Sequence, residues 1–161
     1  MTATVARLTR RLWAAIAVGV ALAGCGASGG PRRPARSSVP LVAGGQVVAR
    51  VNSCDAGADA YCALDFVVVD SHYRSAQDLL TGEHRWLKRS GWTGVSAQTG
   101  DEQAADSPGD RLRVTYATAA LDLKDIDLGW IKRPHVIALA LSHALYDGSA
   151  TVSMMLVAGP S

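Results

Sequence analysis

Twelve apolar residues, 12–23, stand between a cluster of arginines and Cys25, and they divide the chain into a part that addresses the protein and a part that folds. Arg7, Arg10 and Arg11 form a basic region without an acidic residue, and the run Leu-Trp-Ala-Ala-Ile-Ala-Val-Gly-Val-Ala-Leu-Ala that follows has the length of a signal-peptide core. A spanning helix needs roughly 20 apolar residues, so this run is too short to cross the hydrocarbon. Residues 1–24 are therefore expected to act as an export signal. What remains is enough for one small domain and too little for two.

The end of the run is more specific. Leu22-Ala23-Gly24-Cys25 resembles the lipobox of bacterial lipoproteins. The resemblance covers the first 25 residues and implies cleavage before Cys25, with a diacylglyceryl group on its thiol. Two acyl chains hold a membrane durably where one binds reversibly, at about 0.8 kcal/mol per buried methylene. The residue after Cys25 is Gly26 rather than Asp, so no inner-membrane retention mark is visible. Thr9-Arg10-Arg11-Leu12-Trp13 leaves general and twin-arginine export both open. Enrichment in Ala, Gly and Arg suggests a GC-rich genome, and the layout resembles that of small actinobacterial lipoproteins, a resemblance that carries no activity. The implied location is the extracytoplasmic face of the cell membrane, with the membrane itself as partner through Cys25.

Removing the signal changes the charge balance. It takes three of the 16 basic side chains and none of the 14 acidic ones, turning a formal +2 into −1. No clustered basic face of the kind nucleic acid requires is left. Residues 25–45, rich in Gly, Pro, Ser and Arg, read as a flexible tether that would hold the domain roughly 25 Å from its anchor. Arg32, Arg33 and Arg36 could touch anionic headgroups there or simply be solvated. The folded domain is expected over 46–161.

Cys54 and Cys62 would then lie in an oxidising compartment and are expected to form a disulfide, closing a short loop at a gain of roughly 2–3 kcal/mol. As a metal site the pair is poor, since no histidine is near in sequence. Alternation over 46–51 and 63–69, with Leu64, Phe66 and Val68 on one face, predicts a hairpin pinned by that bridge. A helix is expected from Ser75, with Asp78 in the capping-box position and Gly91 at its end. Its spacing assigns Ala76, Leu79, Leu80, Trp86 and Leu87 to the core and Gln77, Asp78, Glu83, Arg85 and Lys88 to solvent. Trp92 is read as a second packing aromatic.

Residues 94–110 read as an exposed polar loop and 111–117 as a strand. A short helix follows, with Ala119, Leu123, Ile126 and Trp130 inward and Asp122, Lys124, Asp125 and Asp127 outward. Those acids lack calcium-loop spacing. The run 136–146 is apolar enough for a buried helix, but Asp147-Gly148 is a strong hairpin signal, and the reading adopted is a hairpin joining it to a strand over 149–157. The expected fold is β-β-α-β-α-β-β: α+β, an antiparallel sheet with two helices on one face.

No nucleophile elbow, Ser-x-x-Lys, zinc-helix, Cys-x-x-Cys or phosphate-loop motif occurs, and no cofactor or metal is expected. Scattered candidates are Asp70, His72, Tyr73, Glu83 and His84 around the strand-to-helix junction, with Asp70, His72 and His84 the weak candidates for acid–base or metal chemistry. A plainer reading has Asp70 and Ser71 making turn hydrogen bonds with His72 exposed. His135 is placed at a strand start and His143 in the interior. Two functions follow: a non-catalytic envelope module that binds a protein or wall ligand, or a lipid-anchored hydrolase using Asp70 and His72.

Overall fold

The strand that organises the molecule is Cys62–Val69, whose sequence CALDFVVV is buried along nearly its whole length. Such a run is stable only with both faces covered. The computed structural model describes residues 33–55 and 61–158, with the side chains of 95–99 excepted. The expected signal peptide, Cys25 and the first part of the expected tether lie outside the described residues, as do 56–60 and 159–161.

One six-stranded sheet, antiparallel at every pairing, runs β1-β2-β6-β5-β4-β3. Its strands are β1 (Gln46–Cys54), β2 (Cys62–Val69), β3 (Thr93–Thr99), β4 (Glu102–Asp106), β5 (Leu112–Thr118) and β6 (Thr151–Ala158). The helices are α1 (Ala76–Arg89), α2 (Ala119–Asp127) and α3 (His135–Tyr146). The α+β, single-domain, antiparallel expectation therefore stands. Cys54 and Cys62 form the disulfide at the end of the β1–β2 hairpin, where they are register partners.

Alternation along the central strands separates two cores. Leu64, Phe66 and Val68 of β2 share a face with Val152, Met154 and Leu156 of β6 and Val114 and Tyr116 of β5, and Leu79, Leu80 and Leu87 of α1 close over them. The opposite face carries Val67, covered by Ala119 of α2 and by Ile137 and Leu141 of α3. The helices are thus divided between both faces, not gathered on one.

Three segments differ from expectation. Residues 136–146 form a helix: Ala and Leu dominate the run, no Gly or Pro interrupts it, and helix propensity prevails. Asp147 is its C-cap and Gly148, at φ +67°, supplies the left-handed residue after it. A hairpin turn would need the same conformation, which is why Asp147-Gly148 fits both readings. Residues 94–110 are largely a hairpin, β3 and β4 turning at Gly100–Asp101, because β3 is held by backbone pairing with β4 and β4 by pairing with β5, whatever the local polarity. The fold also begins ahead of residue 46. After a single 3₁₀ turn at Arg36–Ser38, Val39 and Val42 insert into the α1-side core, and the Val42 N–H donates to Glu83 Oε2 at 3.2 Å. Four residues, Val-Pro-Leu-Val, suffice to dock a stretch whose composition otherwise reads as linker.

Helix α1 begins as expected, with Ser75 Oγ accepting from the Asp78 N–H at 3.1 Å. Trp92 is buried, but Trp86 is half exposed. Gly82, which costs roughly 1 kcal/mol of helix propensity relative to alanine, has a packing reason. A Cβ there would lie 2.4 Å from Tyr73 Oη and 2.7 Å from Cζ, so the Tyr73 ring rests directly on the helix backbone. Gly82→Ala is accordingly expected to lower stability by about 1–3 kcal/mol in spite of its better propensity, and to raise it in a Tyr73→Ala background. Urea unfolding of the two single variants and the double variant checks this; stabilisation by Gly82→Ala alone would contradict the packing argument.

Candidate functional site

The β2–α1 junction brings two of the three candidate residues together. Asp70 is buried, and its Oδ1 accepts from both the His72 N–H and His72 Nδ1, each at 2.8 Å. The His72 side chain is 77% exposed. This is the expected turn, with an imidazole added to it. Gly44, at φ +101°, lies over the pair so closely that a Cβ would stand 2.8 Å from His72 Nδ1 and 3.0 Å from Asp70 Oδ2. A carboxylate on Nδ1 orients a histidine for base work at Nε2. Among the described residues, however, no hydroxyl or thiol hydrogen-bonds to that nitrogen.

His84 belongs elsewhere. Its Nδ1 is 2.7 Å from Tyr116 Oη, and it makes no contact with the Asp70–His72 pair. Burial, with some help from Lys88, lowers its pKa. Glu83, one of the scattered candidates, is assigned to solvent by helical spacing yet is fully buried beside the 39–45 segment. Its Oε1 has no partner, and neither does Asp70 Oδ2. Burial pushes the Glu83 pKa up to about 7, and Asp70 adds to the rise, against the opposing pull of the Val42 N–H and of Arg36.

The larger concavity lies on the opposite face of the sheet. A cleft of about 690 Å³ opens between the disulfide end of the β1–β2 hairpin, the centre of β5 and β6, helix α2 and residues 131–134. Arg133 spans its floor. One guanidinium nitrogen, Nη1, donates to Asp65 Oδ1, and Nη2 donates to Asp122 Oδ1 at 3.0 Å, all three side chains being nearly or wholly excluded from solvent. Burial opposes the charge on Arg133, but Asp122 and Asp65 together outweigh it and raise its pKa. For Asp65 burial wins over the attraction of Arg133, and its pKa is raised. Among the described residues Asp122 Oδ2 and Arg133 Nε are left without partners.

Neither acid was assigned to a site from sequence, although both carry a signal. Asp65 interrupts the apolar run of β2, and a charge there needs a counter-charge once both faces are covered. Asp122 sits three residues after Ala119 and four before Ile126, on the inward stripe of α2 and not on its wet side. Arg133 carries no such signal. The histidines of α3 are also displaced from expectation: His135 begins a helix, and His143 is exposed. Among the described residues no group of three or more His, Cys, Asp or Glu side chains is placed to hold a metal ion, and no helix is long and apolar enough to cross a membrane.

No protein-family model, curated protein or solved structure matches this chain.

Two outcomes follow from the charges. Arg133→Met strands two buried carboxylates, so stability at pH 7 should fall by about 3–5 kcal/mol. The deficit should shrink as pH drops and Asp65, whose pKa burial raises, becomes neutral, which denaturation at pH 7 and pH 4 will show. The second outcome concerns Glu83. Its folded-state pKa lies above the unfolded 4.5, so its contribution is fully present below pH 4.5 and is lost as pH rises to about 7. Glu83→Gln should remove that loss, gaining about 3 kcal/mol on wild type across the interval. Parallel pH–stability curves for the two proteins would refute the assignment.

Proposed function

We propose that this chain is a lipid-anchored lipoprotein of the extracytoplasmic face of the cell membrane, and that its folded domain is a non-catalytic binding module whose ligand sits in the Arg133 cleft. The anchoring part is supported by the order of arginines, short apolar run and Leu-Ala-Gly-Cys, and a disulfide suits an exported domain.

The observation that carries the binding part is the unpaired pair of groups in the cleft. Asp122 Oδ2 is a buried acceptor and Arg133 Nε a buried donor, each without a partner among the described residues. Leaving such groups unmet costs roughly 1–3 kcal/mol each, and more when charged. A ligand that offers an N–H or ammonium group to Asp122 and an acceptor to Arg133 recovers that cost. Asp55, Asp65, Glu102, Asp122 and Asp125 outnumber Lys132 and Arg133 in the lining, which favours a cationic group. Wall fragments with free peptide amino groups, or a basic segment of an envelope protein, have this chemistry.

A hydrolase centred on Asp70 and His72 is the second reading, favoured by the 2.8 Å contact between Asp70 Oδ1 and His72 Nδ1. It lacks a nucleophile at Nε2.

Cys25→Ala should release the protein from the membrane fraction or stop its processing; a cleaved product retained on the membrane would refute the anchor. Muramidase-released wall fragments serve as the probe for the cleft. Wild type should bind them, and Asp125→Lys, at the cleft rim, should weaken binding by about tenfold or more. Equal binding by the two proteins, or none by either, would overturn the cleft reading for this ligand class. Loss of an envelope hydrolytic activity in His72→Ala would favour the second reading instead.

A further inference from the structure

Helix α3 is apolar on the side that faces the protein and on much of the side that does not. Its sequence, HVIALALSHALY, carries no lysine, arginine or carboxylate. Ile137 and Leu141 pack on Val67, with Ala49 and Val51 of β1 beside them. Val136, Leu139 and Tyr146 stay exposed at three- and seven-residue steps along one outer stripe, Tyr146 to 90%. Leu128 and Trp130 stand exposed in the turn before the helix, Trp130 to 75%. A helix apolar around its circumference is ordinarily buried on all sides. Here one side still lacks its cover.

We propose that this stripe, with Trp130 and Tyr146 as its aromatic ends, lies in the interface of the lipid leaflet that holds the anchor. The inference rests on the Cys25 anchor reading, and the position of the first folded residues bears on which face is held near the bilayer. Arg33 is eight residue steps from Cys25, a reach of roughly 29 Å even at full extension. That is less than the diameter of a domain this size, roughly 35 Å from its expected radius of gyration. The domain is therefore held within about one diameter of the bilayer. Arg36 shares a shallow groove with residues 47–50 of β1 before Val39 and Val42 enter the α1-side core, so the chain leaves the domain at the edge strand whose other face carries α3. Trp and Tyr are the side chains that settle at headgroup depth, with aliphatic neighbours reaching the acyl boundary. Asp125, Asp127 and Asp147 outnumber the exposed Lys124 and Lys132 beside the stripe, so apolar insertion, and not attraction to anionic headgroups, drives the contact.

The test uses the full lipidated protein reconstituted into vesicles of phosphatidylcholine and phosphatidylglycerol with brominated acyl chains. Trp130 emission, obtained as the difference between wild type and Trp130→Phe, should be quenched about twofold or more, and to the same extent at high salt. Leu139→Asp with Tyr146→Asp, both at exposed positions, should leave the protein sedimenting with vesicles through its anchor while Trp130 quenching is lost. Unquenched Trp130 in vesicle-bound wild type would overturn the proposal, as would quenching that survives the double variant. So would a second copy of the chain on the stripe, seen as a dimer that the double variant dissociates while Trp130 stays unquenched. The anchor is read separately. If Cys25→Ala protein that has been cleaved like wild type sediments as completely as wild type and Trp130 is still quenched, the anchor fails and the docking face stands.

Discussion

β6 is the last strand in the chain, yet it pairs with β2 on one side and β5 on the other, and those pairings are the only link between two sub-sheets. The β1–β2 hairpin and the β3–β4–β5 meander are each local in sequence. Neither can bury its apolar face alone, since Leu64, Phe66 and Val68 meet Val114 and Tyr116 only across Val152, Met154 and Leu156. The same strand presents Ser153 and Met155 to the other face, beneath the cleft and helices α2 and α3. Both cores, and the cleft between hairpin and meander, are thus assembled in the one step that inserts β6. Non-local pairing of this kind carries a loop-closure cost before it is repaid, so cooperativity is built into the topology.

The two faces handle buried charge differently. On the cleft side a guanidinium compensates two carboxylates, an arrangement that is strongly disrupted when one member is lost and that contributes little net stability when intact. On the α1 side Asp70 and Glu83 have no cation of comparable burial, and the tension is relieved by the shift of Glu83 toward its neutral form. That carboxyl group also caps the amino-terminal segment through the Val42 N–H, which ties the docking of residues 39–42 to a titrating side chain.

What could be read from sequence was what depends on local pattern. Alternation in 63–69 placed Leu64, Phe66 and Val68 on one face, a serine three residues before Asp78 marked the start of α1, and the cysteine count left Cys54 and Cys62 as a pair. Readings failed where a residue's environment is decided by a distant partner. Glu83 and Asp122 look solvent-facing until residues 39–42 and Arg133 are brought over them. Residues 93–106 look like loop because β3 is ordered by pairing with β4, and β4 by pairing with β5, which no local pattern announces. The 136–146 run was ambiguous in kind, since a turn and a helix end ask the same conformation of Gly148. Asp70 and His72 were brought together as sequence proximity suggested, whereas His84 was drawn to Tyr116 by a strand nothing local announces.

The docking of residues 33–45 also has a mechanical meaning. The segment pairs with no strand. It is held by Val39 and Val42 in the core and by one side-chain hydrogen bond at Glu83. Tension on the chain ahead of Arg33 therefore loads this segment first and peels it from α1 without breaking a hydrogen bond between strands. Its release would add thirteen residues of slack before the pull reached β1 at Gln46. The sheet is protected by a sacrificial link, and the length of that link sets how much chain a pull from the amino-terminal side draws out before any strand is loaded.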